Sequence, residues 1–203
     1  SIGSNISNIA LVFCLSVFFI KHKDEEMILP KNMYISMIIL MLSLFILIIT
    51  DHLFNAIDAL ILLLLFIVIL FFLGKEEQKV DYCNEKSFEN FGSLKISLLL
   101  IVGVLMLIYG SVYFIDGATQ IAILFGISSY TIGLTLTALG TSLPELATSI
   151  QSARKGRTDF IIGNIIGSNI FNIAIAVGVA GLINSAIVNK TEFIRDISVL
   201  LIV

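Results

Sequence analysis

Uncharged apolar runs of membrane-spanning length follow one another along this chain, separated by short polar segments. Residues 2–20, 33–50, 55–73 and 96–115 form the first four. A transmembrane helix needs ~20 predominantly apolar residues to cross the hydrocarbon core, so each run predicts one spanning helix, the third with Asp58 in its opening turn. Residues 117–144 are too many for one span, and Gly126-Ile127-Ser128-Ser129 predicts a break within them. A fifth helix is then predicted from near Tyr130 to near Ser152 and a sixth over residues 160–182. A seventh starts near Arg195 and ends after a few apolar residues. All are helical, because backbone groups in hydrocarbon must find their partners within the segment. The fold class is an all-α polytopic membrane protein of about six full spans plus a partial seventh. An apolar run that starts at once after Ser1, and a last span left incomplete, predict a chain cut from a longer protein at both ends.

Composition agrees. Of the 203 residues, 58% are apolar and 13% are charged, where a soluble domain carries about 25% charged residues; the mean hydropathy is +1.04. The natural partner is the lipid bilayer of a cell membrane, plasma or inner. A dispersed net charge of -3 gives no reason to expect a nucleic-acid partner. Cys14 in an apolar run and Cys83 in a polar loop make no disulfide framework. His22 and His52 read as ordinary interface residues.

The basic residues set an orientation. Lys21, Lys23 and Lys31 follow the first span, Lys75, Lys79, Lys86 and Lys95 the third, and Arg154, Lys155 and Arg157 the fifth. These are ten of the twelve Lys and Arg residues, and they fall in alternate loops, which the positive-inside rule makes cytoplasmic. Residues 74–95 thus form a cytoplasmic loop between two membrane regions, 1–73 and 96–203. That loop mixes its lysines with Glu76, Glu77, Asp81, Glu85 and Glu89, lacks the ligand spacing of a calcium loop, and reads as a solvated connector.

The chain also repeats itself. Residues 2–10, Ile-Gly-Ser-Asn-Ile-Ser-Asn-Ile-Ala, recur at 166–174 with eight of nine positions identical, an offset of 164. An odd number of predicted crossings separates the copies, so they face opposite ways across the membrane. Inverted repeats that meet near the midplane build the sites of many secondary transporters. Ser4 and Ser168 are therefore expected to converge there, within reach of Glu145.

Polar residues inside the spans supply the chemistry. Ala138, Thr141, Ser142 and Glu145 stand at helical offsets that share one face. An in-span carboxylate costs about 2.5 to 3.5 kcal/mol at the centre of a helix, and one so near the cytoplasmic end is otherwise interfacial. Pro144 within that helix is expected to free the Gly140 carbonyl. Asn164, Ser168 and Asn172 recur every four residues in the sixth span, as Ser4 and Asn8 do in the first. Gly163 and Gly167 beside them predict a close helix neighbour; helix packing alone is the other reading of this stripe. Oxygen donors of this kind suit calcium and sodium. Without a Cys/His cluster or a phosphate-binding loop, neither a transition metal nor ATP is implied. The prediction is an ion-gradient-driven transporter and not an enzyme, with no cofactor beyond the ions it carries; a channel or membrane scaffold is the reading from another class.

At these residues the sequence resembles the sodium/calcium exchanger family of the cation/calcium antiporter superfamily. Gly133-Leu134-Thr135 through Ala138-Leu139-Gly140-Thr141-Ser142-Leu143-Pro144-Glu145, followed by residues 163–172, Gly-Asn-Ile-Ile-Gly-Ser-Asn-Ile-Phe-Asn, looks like that family's second alpha-repeat, spanning 130–182. Residues 1–20 resemble the second half of the first. The resemblance implies an inverted-repeat antiporter fold of ten helices, with calcium and sodium exchanged by alternating access. It implies that Glu145 and Thr141 ligate calcium, that the Ala138 carbonyl, Thr141, Ser142, Ser168 and Ser4 contribute to sodium sites, and that Asn8 and Asn172 face the centre. Members often carry Asp where this chain has Asn172, which leaves Glu145 and a glutamate expected upstream as the carboxylates. Calcium/proton or other divalent-cation antiport is the alternative.

Overall fold

The computed structural model describes residues 2–20, 31–51, 53–75 and 92–202. The mixed-charge connector lies almost wholly outside them, as do Lys21, Lys23, His22, His52 and Cys83. Among the described residues eight helices follow in order: α1 (Ile2–Phe18), α2 (Lys31–Asp51), α3 (Ala56–Leu73), α4 (Ser93–Leu124), α5 (129–141), α6 (Leu143–Arg154), α7 (Thr158–Ile183) and α8 (Lys190–Ile202). Four described helices are long and apolar enough to cross a membrane: Lys31–Thr50, Ala56–Leu73, Leu94–Leu124 and Thr158–Ile183.

Local chemistry explains the helix ends. Asn55 caps α3, its Oδ1 accepting from Ile57 N at 2.7 Å and Asp58 N at 3.3 Å, while Asp58 Oδ2 accepts from Asn55 N at 3.0 Å. This reciprocal pair satisfies donors that a helix start leaves without partners. The fourth span does not end at residue 115 as expected: α4 runs on through Asp116 and Gly117 and stops just before Gly126. One aspartate and one glycine supply no stop signal, whereas Gly126 adopts φ 73° and closes the helix, with Gly126 N donating to Ile123 O at 2.9 Å and Ile127 N to Ala122 O at 3.0 Å.

The fifth predicted helix is two helices. They meet at Ser142, whose φ of -90° and ψ of -1° interrupt the helical path. Pro144 therefore does not kink a continuous helix; it sits in the first turn of α6, where a missing N–H costs nothing. The Gly140 carbonyl belongs to the last turn of α5, whose carbonyls lack partners within their own helix whatever residue follows.

The main core gathers Leu40 and Leu44 of α2, Leu62 of α3, Ile166 and Ile173 of α7, and Phe193 of α8. Close approach of α7 to α3 depends on Gly178 and Gly181: a methyl group would stand 2.9 Å from Leu63 Cγ at the first and 3.0 Å from Ala59 Cβ at the second, where it would also overlap Phe54 Cε1 just before α3. Gly140 does the same for α4, since a methyl there would overlap Ile115 Cγ1. Gly163 and Gly167, expected to admit a neighbour, meet nothing within 4 Å where a Cβ would stand. Neither glycine is therefore needed for a close approach to the described residues, and the tight contacts of α7 lie farther along it, at Gly178 and Gly181. Two short strands, β1 (Leu53–Phe54) and β2 (Ala186–Ile187), pair antiparallel with Leu53 opposite Ile187. They fasten the α2–α3 and α7–α8 connections together at one end of the bundle.

Among the described residues three helices contain a wider π turn: Asn8–Phe13 in α1, Gly133–Thr137 in α5 and Asn172–Val177 in α7. Such turns are rare and concentrate at functional sites. The first and third start at equivalent positions of the repeat, 164 residues apart.

Candidate cation site

The helix break brings Thr141 and Ser142 to the start of α1. Ser4 Oγ lies 2.9 Å from Thr141 Oγ1, and Ser142 Oγ donates to the Ser4 carbonyl at 3.4 Å. Thr141 Oγ1 also lies within donating distance of the Thr137 carbonyl at 2.9 Å and the Ala138 carbonyl at 3.1 Å. A hydroxyl has one proton, so with Thr141 donating to its own helix the Ser4 hydroxyl donates to Thr141. Ala138 O accepts as well from Ser142 N at 3.2 Å. Four of the expected donors thus occupy one junction, with Ala138 and Ser142 buried.

The second half of the network lies between α1, α6 and α7. Asn8 Nδ2 donates to Ser168 Oγ at 3.1 Å and to Asn169 Oδ1 at 2.9 Å. Ser168 in turn donates to the Asn164 carbonyl at 2.8 Å. Asn164 Nδ2 reaches the Glu145 carbonyl at 3.2 Å, Thr148 Oγ1 at 3.1 Å and Ser149 Oγ at 3.0 Å, tying α7 to the first turns of α6. Asn172 Nδ2 donates to Asn5 Oδ1 at 3.0 Å. Glu145 is half-buried, and its Oε2 is shut off from solvent without a hydrogen-bond partner among the described residues. Ionising a carboxylate with an enclosed, unpartnered oxygen is costly unless something compensates it. A bound cation is the natural complement.

No hydrogen bond joins Ser4 to Ser168 among the described residues. Ser4 turns to α5 and Ser168 to Asn8; the asparagines make the contact across the repeat. Asn8 meets Asn169, and Asn172 meets Asn5, which are the same pair related by the offset of 164. Asn5 and Asn169 were not singled out as site residues, although both belong to the repeated element. A cavity of about 510 Å³ opens beside the junction, lined by Ser4, Thr137, Ala138 and Thr141 and also by Asp196 of α8. The Asp196 carboxylate pairs with Arg195 at 2.7 Å. In sequence that residue is one charge beside another at the head of a span, with nothing to connect it to residues 4 or 141.

The matches to known proteins bear on this arrangement. The family described as sodium/calcium exchanger protein matches residues 1–75 and 95–203. Inner membrane protein YrbG of Escherichia coli is 34% identical over 215 residues, covering 100% of this chain and 65% of that protein. Sodium/calcium exchanger MaX1 of Methanosarcina acetivorans is 46% identical over 95 residues, covering 47% of this chain and 26% of that protein. The solved structure of a sodium/calcium exchanger from Methanococcus jannaschii superposes with a TM-score of 0.66 at 33% identity, covering 99% of this chain and 64% of the other. A further structure of the sodium-calcium exchanger NCX_Mj gives a TM-score of 0.70. The chain spans less than two-thirds of the length of these relatives. A family match over nearly all its residues, on a bundle whose apolar helices are long enough to cross a membrane several times, shows that the chain belongs to the sodium/calcium exchanger family of multi-pass membrane proteins.

Proposed function

We propose that the full-length protein is a secondary antiporter that exchanges calcium for sodium across a plasma or inner membrane by alternating access. One observation carries the reading. Two copies of the same element bond to each other through Asn8 and Ser168 and through Asn172 and Asn5, and Ser4 ties them to a broken helix pair whose Glu145 Oε2 has no hydrogen-bond partner among the described residues. Glu145 and Thr141 ligate calcium in this reading. Ala138 O, Thr141, Ser142, Ser4 and Ser168 contribute to sodium sites, and Asn8 and Asn172 lie between them. Ligand sets that overlap let the two ions compete, and competition for one site is what couples their opposite movements. Residues 130–182 act as the second of two inverted repeats, and the ends carrying Lys31 and Arg154–Arg157 face the cytoplasm.

Calcium uptake into vesicles holding the full-length protein, with a sodium gradient and then a pH gradient imposed, tests the reading. Uptake driven by sodium and indifferent to the pH gradient is expected. Uptake that follows only the pH gradient replaces sodium by protons; uptake that follows neither removes antiport.

A further inference from the structure

Two of the four asparagines between α1 and α7 lie outside the candidate ligand set. Asn5 and Asn169 stand three residues before Asn8 and Asn172, and both are fully buried. Their hydrogen bonds have a fixed polarity. A backbone carbonyl only accepts, so the 3.3 Å contact between Asn5 and the Asn169 carbonyl uses the Asn5 N–H₂. That places the Asn5 oxygen at the other end of its amide, where it receives Asn172 Nδ2 at 3.0 Å. The Asn172 amide cannot turn round without breaking this bond, and its oxygen is the end left over.

The mirror pair has the same polarity. Asn169 directs its N–H₂ at Met37 Sδ, 3.8 Å away, and receives Asn8 Nδ2 on its oxygen at 2.9 Å. Ser168 donates its proton to the Asn164 carbonyl, so it too accepts from Asn8. Asn8 Oδ1 is then left buried without a hydrogen-bond partner among the described residues. A buried amide oxygen in that state is expensive unless something else meets it.

We infer that Asn5 and Asn169 are positioning residues: by holding the N–H₂ groups of Asn172 and Asn8 they make both side chains offer oxygen, the only end of an amide a cation can use, to the transported ion. This rests on reading the site as one for cation transport. An amide free to turn presents N–H₂ part of the time, and its partial positive charge repels the ion.

The test is a double-mutant comparison on the purified full-length protein, with calcium chloride titrated against thermal unfolding. Asn5→Leu is expected to raise the calcium concentration for half-maximal stabilisation by ~10-fold, the lower end of what loss of an outer-shell partner costs a metal site. Asn172→Asp has an oxygen at either end and needs no orienting, so adding Asn5→Leu to it should cost no further affinity. An equal loss in both backgrounds overturns the inference, because a packing role does not depend on which atom residue 172 presents. Full affinity in Asn5→Leu alone overturns it too. Should Asn5→Leu not fold, Asn5→Ser carries the same comparison; failure of both to fold, while Asn172→Asp folds, makes Asn5 structural and ends the proposal. A wild-type protein stabilised by neither calcium nor sodium also ends it. Vesicle uptake is read separately. Binding that obeys the cycle without sodium-driven uptake removes the antiport reading and leaves the positioning role standing.

Discussion

Helices α4 and α7 are both long enough to cross a membrane, yet they do opposite work. None of the apolar window of α4 is buried inside the protein, against 44% of that of α7. Along α4, Leu98, Ile101, Leu105 and Tyr113 are all exposed, and Ile115 packs closely against Gly140. Helix α7 interleaves Ile162, Ile166 and Ile170, which pack inward, with Asn164, Ser168 and Asn172, which tie it to α1 and α6. Lipid tails are as apolar as leucine, so an apolar face gains little from meeting another helix rather than lipid. A helix held by hydrogen bonds and small-residue contacts is specified; one covered in leucine is merely soluble in the bilayer.

The contrast can be broken from either side. The largest effect belongs to the α6–α7 unit: Glu145→Gln removes the charge and keeps the volume. Calcium uptake in vesicles should fall to the background of empty ones while insertion and thermal unfolding stay as in the wild type. Uptake near the normal rate would make Glu145 an interfacial residue. Next comes Gly181→Val, which forces side-chain atoms into Phe54 and should cost about 1–3 kcal/mol in an unfolding titration, partly recovered by Phe54→Ala. An unchanged midpoint would mean that α3 and α7 do not need their close approach. Asn172→Asp should alter the sodium dependence of uptake, or the charge moved per calcium, more than it alters stability. No change in either would take residue 172 out of the centre. The smallest effect is reserved for α4. Leu98→Ile and Ile101→Leu together should stay within about 0.5 kcal/mol in stability, as surface changes usually do, and leave transport rates alone. A large loss there would show that a partner, not lipid, covers this helix.

Much of this was written in the chain. Asn55 and Asp58 announced the start of α3, and the duplicated Gly-Ser-Asn element announced a pairing of α1 with α7. Helix α4 was read too short because a single aspartate resembles the edge of the hydrocarbon core, although it has no power to stop a helix. The break at Ser142 was read as a kink because proline removes the same N–H wherever it stands; only the path of the backbone shows that a new helix has begun. Asn5 and Asn169 escaped notice because a buried amide and a packing amide look alike until the direction of each hydrogen bond is known. Asp196 met the cavity through tertiary packing alone.

The π turns at Asn8 and Asn172 have a meaning beyond geometry. A widened turn is a local fault that a sequence must tolerate, and few sequences acquire one. Two unrelated departures at the same step of the same repeated element would be a coincidence. A shared local cause accounts for both: each widened turn opens on the same Asn-Ile-Ala, at residues 8–10 and 172–174, although the three residues after it differ. The irregularity thus goes with the repeated element and not with the surroundings of either helix, so each copy brings its own departure from a regular helix.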